Sequence, residues 1–285
     1  MELLVFKIKP LTPFCFDLKG DSIFSHIVAY DYLEGGNLFD NYMKKVNLIV
    51  SDMMPFGYVY KPTLPFKFFK NCVKEENKKT LRKKNWIKIE DLQSGNLCKL
   101  ENLNYKNKYT VIRNSINRLF FSTDDAGFSP YSNEETNFTM CLWMFCLVER
   151  DIKQRVIDLL NKLGKYGVGK DVSIGKGKFE IELLENSDYI KNIDSNYYLT
   201  ISPAIINGFD EFYYLPFVRF GKYGLNRAFK NPFKKPVLLA DSGAVLKSTK
   251  KIHFVGKAIT NHQNEDKKSY FQGYSIVIPF KLKDE

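Results

Sequence analysis

The pattern of apolar and polar positions in the first fifty residues predicts a strand, a helix and a second strand. Runs of β-forming residues at positions 3–8 and 46–51 flank a segment in which Ile23, Ile27 and Tyr30 share one helical face. Asp21 or Ser22 can cap this helix, and the glycine pair 35–36 can end it. The prolines and aromatic residues of 55–69 break any helix, so we expect that stretch to wrap the surface.

A similar order follows later in the chain. The mostly apolar run 137–148 predicts a central strand buried on both faces. Apolar positions at helical spacing predict a helix over 151–163, with Gly164 as its left-handed terminating residue. After a glycine-rich segment, apolar residues at 179, 181 and 183 alternate with glutamates, which predicts a half-exposed strand.

The order strand, helix, strand, insertion, strand, helix, strand is that of the split βαβ, or ferredoxin-like, fold of the α+β class. Weak periodicity over 70–133 predicts a long insertion that contains a hairpin and lies outside the core. Strand patterns at 197–201, 213–217, 236–239, 253–255 and 274–282 predict a second, degenerate β-rich ferredoxin-like half. We therefore expect a first domain over 1–185 and a second over 190–285.

The distribution of charge along the chain indicates the kind of partner that the protein binds. The formal net charge is +11, and it is concentrated in two segments: 70–118 has thirteen Lys and Arg against five Asp and Glu, and 219–257 has ten against one. Such segments indicate electropositive surfaces that attract polyanions. A solvated lysine-rich exterior is the alternative. The 24 Phe and 17 Tyr need a core, an interface or a base-stacking surface.

The remaining composition excludes several classes of protein. Five cysteines without C-x-x-C spacing argue against a zinc site or a disulfide framework, so we expect free thiols in a reducing cytoplasm. No apolar run approaches the roughly 18 residues that span a bilayer, and the chain opens on strand-like sequence, so we expect a cytoplasmic protein without a membrane segment. No residues have metal-ligand spacing, and we expect neither metal nor cofactor.

The glycine-rich segment 164–178 is the main candidate for binding chemistry. Five of the seventeen glycines fall within 164–177, where they permit positive φ and let backbone N–H groups approach an anion. A Walker A loop does not fit, because five residues separate Gly169 from Gly175 and Lys176 precedes a glycine. A dinucleotide-binding fingerprint that starts at Gly167 does not fit either, because its third glycine would fall at Val172. A polyanion tracking along the loop is favoured, and a flexible connector is the alternative.

The segment 167–180, G-V-G-K-D-V-S-I-G-K-G-K-F-E, resembles the glycine-rich signature of the repeat-associated mysterious protein (RAMP) superfamily of CRISPR effector complexes. Three more stretches resemble the family that forms the fourth subunit of the type III-A (Csm) complex. They are D-S-I-F-S-H at 21–26, the S-D, P-F and K-P pairs within 48–65, and R-N-S-I-N-R at 113–118. The turn D-S-G-A-V-L at 241–246 resembles another family turn.

The resemblance implies a non-catalytic subunit of an antiviral CRISPR-Cas interference complex. Such a subunit binds and caps the 5′ handle of the CRISPR RNA, docks a large polymerase-like subunit and adjoins a backbone RAMP subunit. The implied RNA-binding residues are Ser22, Ser25, His26, Lys165, Tyr166, Gly167, Gly169, Lys170, Asp171, Ser173, Gly175, Lys176 and Lys178. An implied RNA-kinking hairpin carries Arg113, Asn114, Ile116 and Arg118, and Arg219 and Lys247 are possible contacts of the C-terminal half.

Two other functions compete with this one. A metal-independent CRISPR-repeat endoribonuclease would use His26 in acid–base catalysis. Such nucleases carry the glycine-rich loop close to the C-terminus, whereas here more than one hundred residues follow it, which favours binding over cleavage. An assembly protein without RNA contact would instead use the aromatic stretches 66–69 and 209–220 as protein interfaces.

Overall fold

The computed structural model describes residues 1–74, 78–119, 121–123, 130–185, 188–222, 233–260 and 270–282. The elements up to residue 93 are β1 (Glu2–Pro10), α1 (Gly20–Leu33), β2 (Leu48–Val50), β3 (Met54–Pro55), β4 (Tyr58–Tyr60), a 3-10 segment (Phe66–Lys74), α2 (Lys78–Lys83), β5 (Trp86–Lys88) and α3 (Ile89–Gln93). Then come β6 (Lys106–Arg113), β7 (Tyr131–Phe138), β8 (Leu142–Val148), a 3-10 turn (Arg150–Ile152), α4 (Lys153–Tyr166), a 3-10 turn (Val172–Ile174) and β9 (Phe179–Leu183). The C-terminal elements are β10 (Tyr197–Thr200), β11 (Phe212–Tyr213), β12 (Pro216–Arg219), β13 (Val237–Ala240), β14 (Val245–Lys247), β15 (Phe254–Thr260) and β16 (Tyr270–Phe280).

The first sheet has the strand order β2-β8-β1-β9, and β3 also pairs with β8. All of these pairings are antiparallel. Every residue of β8 is buried, as its unbroken apolar run predicts. Helices α1 and α4 pack against each other, and α4 also contacts β9. The predicted strands and helices of this half are therefore confirmed as elements.

A second antiparallel sheet has the order β11-β14-β10-β16-β15, and three two-stranded pairs (β4-β5, β6-β7 and β12-β13) stand beside the two larger sheets. The main apolar cluster includes Phe145 of β8, Ile27 of α1 and Ile278 of β16. Helix α1 therefore covers residues of both sheets. The chain is a mixed α/β protein with several antiparallel sheets, and the boundary at 185–190 stays a prediction.

Buried polar side chains hold the two sheets together. The Gln272 carboxamide is fully buried; its Oε1 accepts the Val50 N–H at 2.8 Å, and its Nε2 donates to the Val50 carbonyl at 2.7 Å. Two residues on, the Asp52 N–H donates to the Ile201 carbonyl at 3.0 Å. A side chain of β16 thus pairs with the outer edge of β2 as a neighbouring strand would.

The Asp52 carboxylate is the centre of a second connection and has no solvent exposure. It accepts the Gly20 N–H at 2.7 Å and the Tyr60 hydroxyl at 2.8 Å, and it also accepts the Ser242 hydroxyl. The Lys19 ammonium lies 3.2 Å from Asp52 and 2.8 Å from Asp241. Burial lowers the pKa of Lys19, but these two carboxylates raise it to a net value above its ordinary one. Segments far apart in the chain therefore meet at one buried charge.

The predicted capping of α1 by Asp21 or Ser22 is wrong. The helix begins one residue earlier, at Gly20, and the preceding Lys19 makes no side-chain cap. Asp52 accepts the Gly20 N–H in place of a local side chain, which sequence spacing cannot reveal.

Three other boundaries differ from the prediction. The run 137–148 is not one strand: β7 ends at Phe138 and β8 begins at Leu142. The run 213–217 divides between β11 and β12, which lie in different sheets, and β14 was not predicted. Gly164 lies inside α4, and the helix ends instead at Gly167, whose φ is 102°.

The insertion was also predicted incorrectly in part. Its hairpin is confirmed as β6 and β7, but Leu81, Trp86 and Leu92 belong to the main apolar cluster. Likewise, Val59 and Phe69 of the expected surface stretch are buried. Their burial is a tertiary effect, since short apolar runs between charged residues carry little periodicity.

The expectation of free thiols fails for two of the five cysteines. Cys72 of the first 3-10 segment and Cys98, after α3, form a disulfide with their Cα atoms 4.9 Å apart. Cys15, Cys141 and Cys146 are free. Among the described residues, no helix is long and apolar enough to cross a bilayer.

We predict that Asp52→Ala lowers the free energy of unfolding by about 3–5 kcal/mol, because it leaves Lys19 buried with one counter-charge fewer. The exposed Asp210→Ala is the matched control and is expected to change it by less than about 0.5 kcal/mol. Urea unfolding followed by tryptophan fluorescence measures both. Equal losses in the two variants would contradict the central position of Asp52.

Candidate functional site

The glycine-rich segment is a closed loop between α4 and β9. The Gly167 N–H donates to the Leu163 carbonyl at 2.7 Å and ends the helix. The buried Val168 then donates its N–H to the Gly177 carbonyl at 3.0 Å, and the Gly177 N–H donates to the Pro13 carbonyl at 2.9 Å. The two ends of the loop are therefore joined to each other and to the segment after β1.

The glycines of this loop differ in what they permit. Gly167, Gly169 and Gly177 have φ of 102°, 89° and 73°. A Cβ at these positions would overlap the Lys176 carbonyl, the Phe16 ring and the Val168 carbonyl, respectively. Only at Gly175, with φ of 86°, would a Cβ within the loop 167–177 meet nothing. Close approach at the first three positions thus serves internal packing.

Four successive backbone N–H groups of the loop stay available. Those of Lys170, Asp171, Val172 and Ser173 have no acceptor among the described residues, whereas the N–H groups of 174–178 are all bonded internally. Asp171 has φ of 65°, so a left-handed residue lies within the run. Successive N–H groups around such a residue form a concavity suited to an anion.

A buried carboxylate holds the hairpin β6–β7 against the loop. Glu135 of β7 is 1% exposed, and it pairs with Lys176 of the loop at 2.6 Å and with Arg113 of β6. The Tyr109 hydroxyl also donates to Glu135, at 3.0 Å. Although burial raises the pKa of Glu135, the hydrogen bonds from Lys176, Arg113 and Tyr109 bring it below its ordinary value.

A second set of contacts runs through Asp171. Its carboxylate lies 3.2 Å from Arg113 and accepts the Asn133 amide N–H at 2.6 Å. The Lys170 ammonium donates to the Asn133 amide oxygen. The loop and the turn end of the β6–β7 ladder therefore form one polar unit, in which Asp171 is turned toward the hairpin.

The basic residues of the predicted site fall into two groups. Lys176 is committed to Glu135, and Lys170 is held by Asn133 although it is exposed. Lys165 is exposed, Lys178 is half-buried, and the described residues offer neither of them an ion-pair partner. Tyr166 is 56% exposed and stacks on Tyr30 with ring centroids 5.8 Å apart, and Ser173 is exposed.

His26 occupies a structural position beside the loop. Its Nε2 accepts the Gly169 N–H at 3.1 Å, and its ring meets the Phe16 ring edge-to-face. Burial lowers the pKa of His26, which favours the neutral form that this bond requires. A general base must take its proton on that same nitrogen, so the geometry disfavours the nuclease alternative. Nearby, the Ser25 hydroxyl donates to the Asp21 carbonyl at 2.8 Å, and Ser22 is half-buried in the first turn.

The distal part of the hairpin is apolar and exposed. Ile112, Ile116, Leu119 and Phe121 are 75%, 59%, 84% and 85% exposed. Asn114 and Arg118 are exposed in the same stretch, while Arg113, the last residue of β6 before the turn, is ion-paired. Exposed apolar side chains of this size point to a contact with another molecule.

Two C-terminal candidates have partners within the chain. Arg219 makes a bidentate pair with Asp21 at 2.7 and 2.8 Å. Burial raises the pKa of Asp21, against the lowering effect of this guanidinium. Lys247 lies 3.2 Å from Glu211 and over the Tyr197 ring.

A polar groove of about 150 Å³ adjoins the loop, because Phe16 lines it and also packs on Gly169. Its other lining residues are Phe14, Cys15, Asp17, Lys108, Glu134 and Thr136. An aromatic wall beside carboxylate acceptors suits a base with an exocyclic amino group. The described residues contain no group of three or more side chains suited to hold a metal ion.

Sequence reasoning missed Glu135, Asn133 and Phe16, which fix the loop. Glu135 stands in an alternating polar strand, where a glutamate ordinarily faces solvent, and only the docking of the loop buries it. The signal that was available is the cluster of cations around it, at 113 and 176, but sequence separation conceals it.

Comparison with solved structures shows a shared fold. The chain is similar to Csm4 in the Csm3–Csm4 subcomplex of the type III-A CRISPR-Cas interference complex, with a TM-score of 0.64 and 16% identity over 98% of this chain and 99% of that one. It is also similar to Csm4 of the Csm1–Csm4 cassette in complex with pppApA, with a TM-score of 0.62 and 15% identity over the whole of both chains. No family model and no curated protein matches the sequence. The resemblance found in the motifs is thus confirmed at the level of fold.

A pair of variants tests the internal role of the glycines. We predict that Gly169→Ala destabilises the protein by about 1–3 kcal/mol more than Gly175→Ala, because both impose the strain of a positive φ but only the first overlaps Phe16. Chemical unfolding gives the difference. Equal free energies of unfolding would refute the packing constraint at Gly169.

The pH dependence of stability tests the Glu135 pairing. A carboxylate whose folded pKa is depressed stabilises the fold above its unfolded pKa, about 4.3, and loses that contribution as the pH falls through the folded value. We therefore expect the stability difference between the native chain and Glu135→Gln to be large at pH 7 and to shrink toward pH 3.

The neighbouring Glu134→Gln is the control for this test. Glu134 makes only an exposed pair with Lys108 at 2.6 Å, so its loss is expected to cost less than about 1 kcal/mol at pH 7. A stability difference for Glu135→Gln that does not change with pH would contradict the proposed ion pairing.

Proposed function

We propose that this chain is a non-catalytic RNA-binding subunit of a type III-A CRISPR-Cas interference complex and that it caps the 5′ handle of the CRISPR RNA. The observation that carries this proposal is the run of four N–H groups at 170–173 that have no acceptor among the described residues, set between lysines beside the turn end of the β6–β7 hairpin. The fold shared with Csm4 over the whole chain supports it. Such an assembly works in the cytoplasm.

In this proposal the first half, 1–185, is a ferredoxin-like RAMP domain. Its support is the order β1, α1, β2, β8, α4, β9 along the chain together with the antiparallel sheet order β2-β8-β1-β9. The insertion at about 70–133 then lies between β2 and β8. The second half, 190–285, is a degenerate β-rich domain of the same type.

The loop holds the RNA backbone by hydrogen bonds and charge. The N–H groups of 170–173 donate to phosphate oxygens, and Lys165, Lys170 and Lys178 supply positive charge around them. The turning of Asp171 toward Arg113 keeps its carboxylate out of the phosphate site. An unstacked base enters the groove beside Phe16, and the exposed face of Tyr166 offers a stacking surface.

The hairpin acts as a wedge in this arrangement. Its exposed apolar residues, Ile116 foremost, insert between neighbouring nucleotides and kink the strand, while Arg113, at the turn end of the β6–β7 ladder, fixes the hairpin on the loop. Glu135 therefore sets the distance between the phosphate site and the wedge. The large polymerase-like subunit and the backbone RAMP subunit are the protein partners, and the protein neither cleaves RNA nor requires a cofactor.

Salt-dependent RNA binding tests the phosphate site. We expect Lys165→Gln with Lys178→Gln to weaken binding of a labelled CRISPR RNA and to reduce the slope of log affinity against log salt by about 1.4, or roughly 0.7 for each phosphate contact on a single strand. The exposed pair Lys44→Gln with Lys251→Gln is the control with equal charge loss. Identical slopes in the two double variants would exclude this site.

A variant of the hairpin, bound to the same CRISPR RNA, tests whether the hairpin acts as a wedge. A 2-aminopurine base beside the handle should fluoresce when it is unstacked, and Ile116→Ala should quench it without a loss of stability, because Ile116 is exposed. Leu238→Ala, exposed to a similar extent on β13, should leave the signal unchanged. Quenching by both variants, or by neither, would refute the role of the hairpin.

A further inference from the structure

A second cationic surface is built from elements that the RNA-handle site does not use. Residues 61–84 carry nine Lys and Arg against two carboxylates, Glu75 and Glu76, which lie outside the described residues. The stretch directly follows β4 and includes the 3-10 segment Phe66–Lys74 and helix α2.

A cavity of about 250 Å³ opens on this surface. Four of its lining residues are apolar (Leu64, Phe66, Phe69 and Leu81), and the other two are Lys61 and Arg82. Apolar walls with two cations suit a ligand that is flat on one part and anionic on another. A bare carboxylate side chain would satisfy the cations and leave the apolar walls uncovered.

The cations of this surface contact rings instead of carboxylates. The Lys61 ammonium donates to the Leu81 carbonyl at 2.9 Å and lies 5.3 Å from the centroid of Phe69. The Lys78 ammonium lies 4.3 Å from the centroid of Phe66. In the part of the chain that the structure describes, Lys61, Lys78 and Arg82 have no ion-pair partner.

The lowered pKa of Lys61 agrees with an excess of positive charge around its ammonium group. Burial first, and then the charges of Arg82 and Lys84, lower the pKa of Lys61. An anion at the mouth of the cavity would relieve this repulsion. Lys67 and Lys83, which are exposed and do not line the cavity, add further positive charge to this stretch.

We propose that this surface binds a second stretch of single-stranded RNA, with one base in the cavity against Phe66 and the adjoining phosphates at Lys61 and Arg82. Aromatic rings interleaved with cations are the usual means of holding single strands without sequence preference. The site is separate from the glycine-rich loop, so a single chain would grip RNA at two places.

The test uses the full chain and a fluorescein-labelled twelve-nucleotide oligouridylate. Lys61→Gln with Arg82→Gln should weaken binding about tenfold at low salt and lower the salt slope by about 1.4, relative to Lys44→Gln with Lys251→Gln. Phe66→Leu, which keeps an apolar side chain, should weaken binding several-fold and leave the slope unchanged.

Three outcomes would overturn the proposal. They are affinity equal to that of the control pair, displacement of the probe by polyglutamate as effectively as by unlabelled oligouridylate, and displacement by uridine monophosphate at the same nucleotide concentration. The last two would assign the surface to an acidic protein or to a free nucleotide. Thermal unfolding verifies that each variant is folded. If the double variant unfolds, the exposed Lys78→Gln replaces it, with an expected slope change of about 0.7.

Discussion

A single buried negative charge connects segments of this molecule that lie far apart in the chain. Asp52 follows β2 and receives the first N–H of α1, the ammonium of Lys19 and the hydroxyls of Tyr60 and Ser242. Removing such a charge from water is costly unless every lone pair is matched, and here the partners come from three segments that lie far apart in the chain. Because α1 packs on both sheets and carries His26 to the glycine-rich loop, its start point sets the position of everything that follows.

Sequence patterns predicted the elements that have strong local signals. The unbroken apolar run of β8 and the helical spacing of α4 are of this kind, since burial on both faces or along one stripe leaves a periodic trace. What could not be predicted depends on contacts between distant residues. The cap of α1 comes from Asp52, thirty-two positions away from Gly20, and the Cys72–Cys98 bond spans 26 residues without a motif. The burial of Trp86 is similarly a property of the assembled core.

The sequence predicted which segment forms the candidate site, but it did not predict how the residues of that segment are arranged. The glycines of 167–177 stood out, but their purpose is mainly to let Phe16, Val168 and Lys176 pack, and the amides free to bind are confined to 170–173. Lys176, expected to contact RNA, is held by Glu135, which lies in a strand without any obvious chemistry. Pairing cations with buried carboxylates aligns the loop with the hairpin at the expense of free charge, so the geometry of the site is set before any ligand arrives.

The Gln272 carboxamide has a consequence for how this protein behaves beside other chains. An edge strand ordinarily offers a row of donors and acceptors that any extended peptide can use, which is how sheets come to aggregate. At Val50 both groups are already bonded to Gln272, and they belong to the outer strand of the first sheet. At the opposite end, Glu180 and Glu182 of β9 pair with Lys9 and Lys7 and surround that edge with charge. Both edges of the first sheet are therefore protected against pairing with an extended strand of another chain.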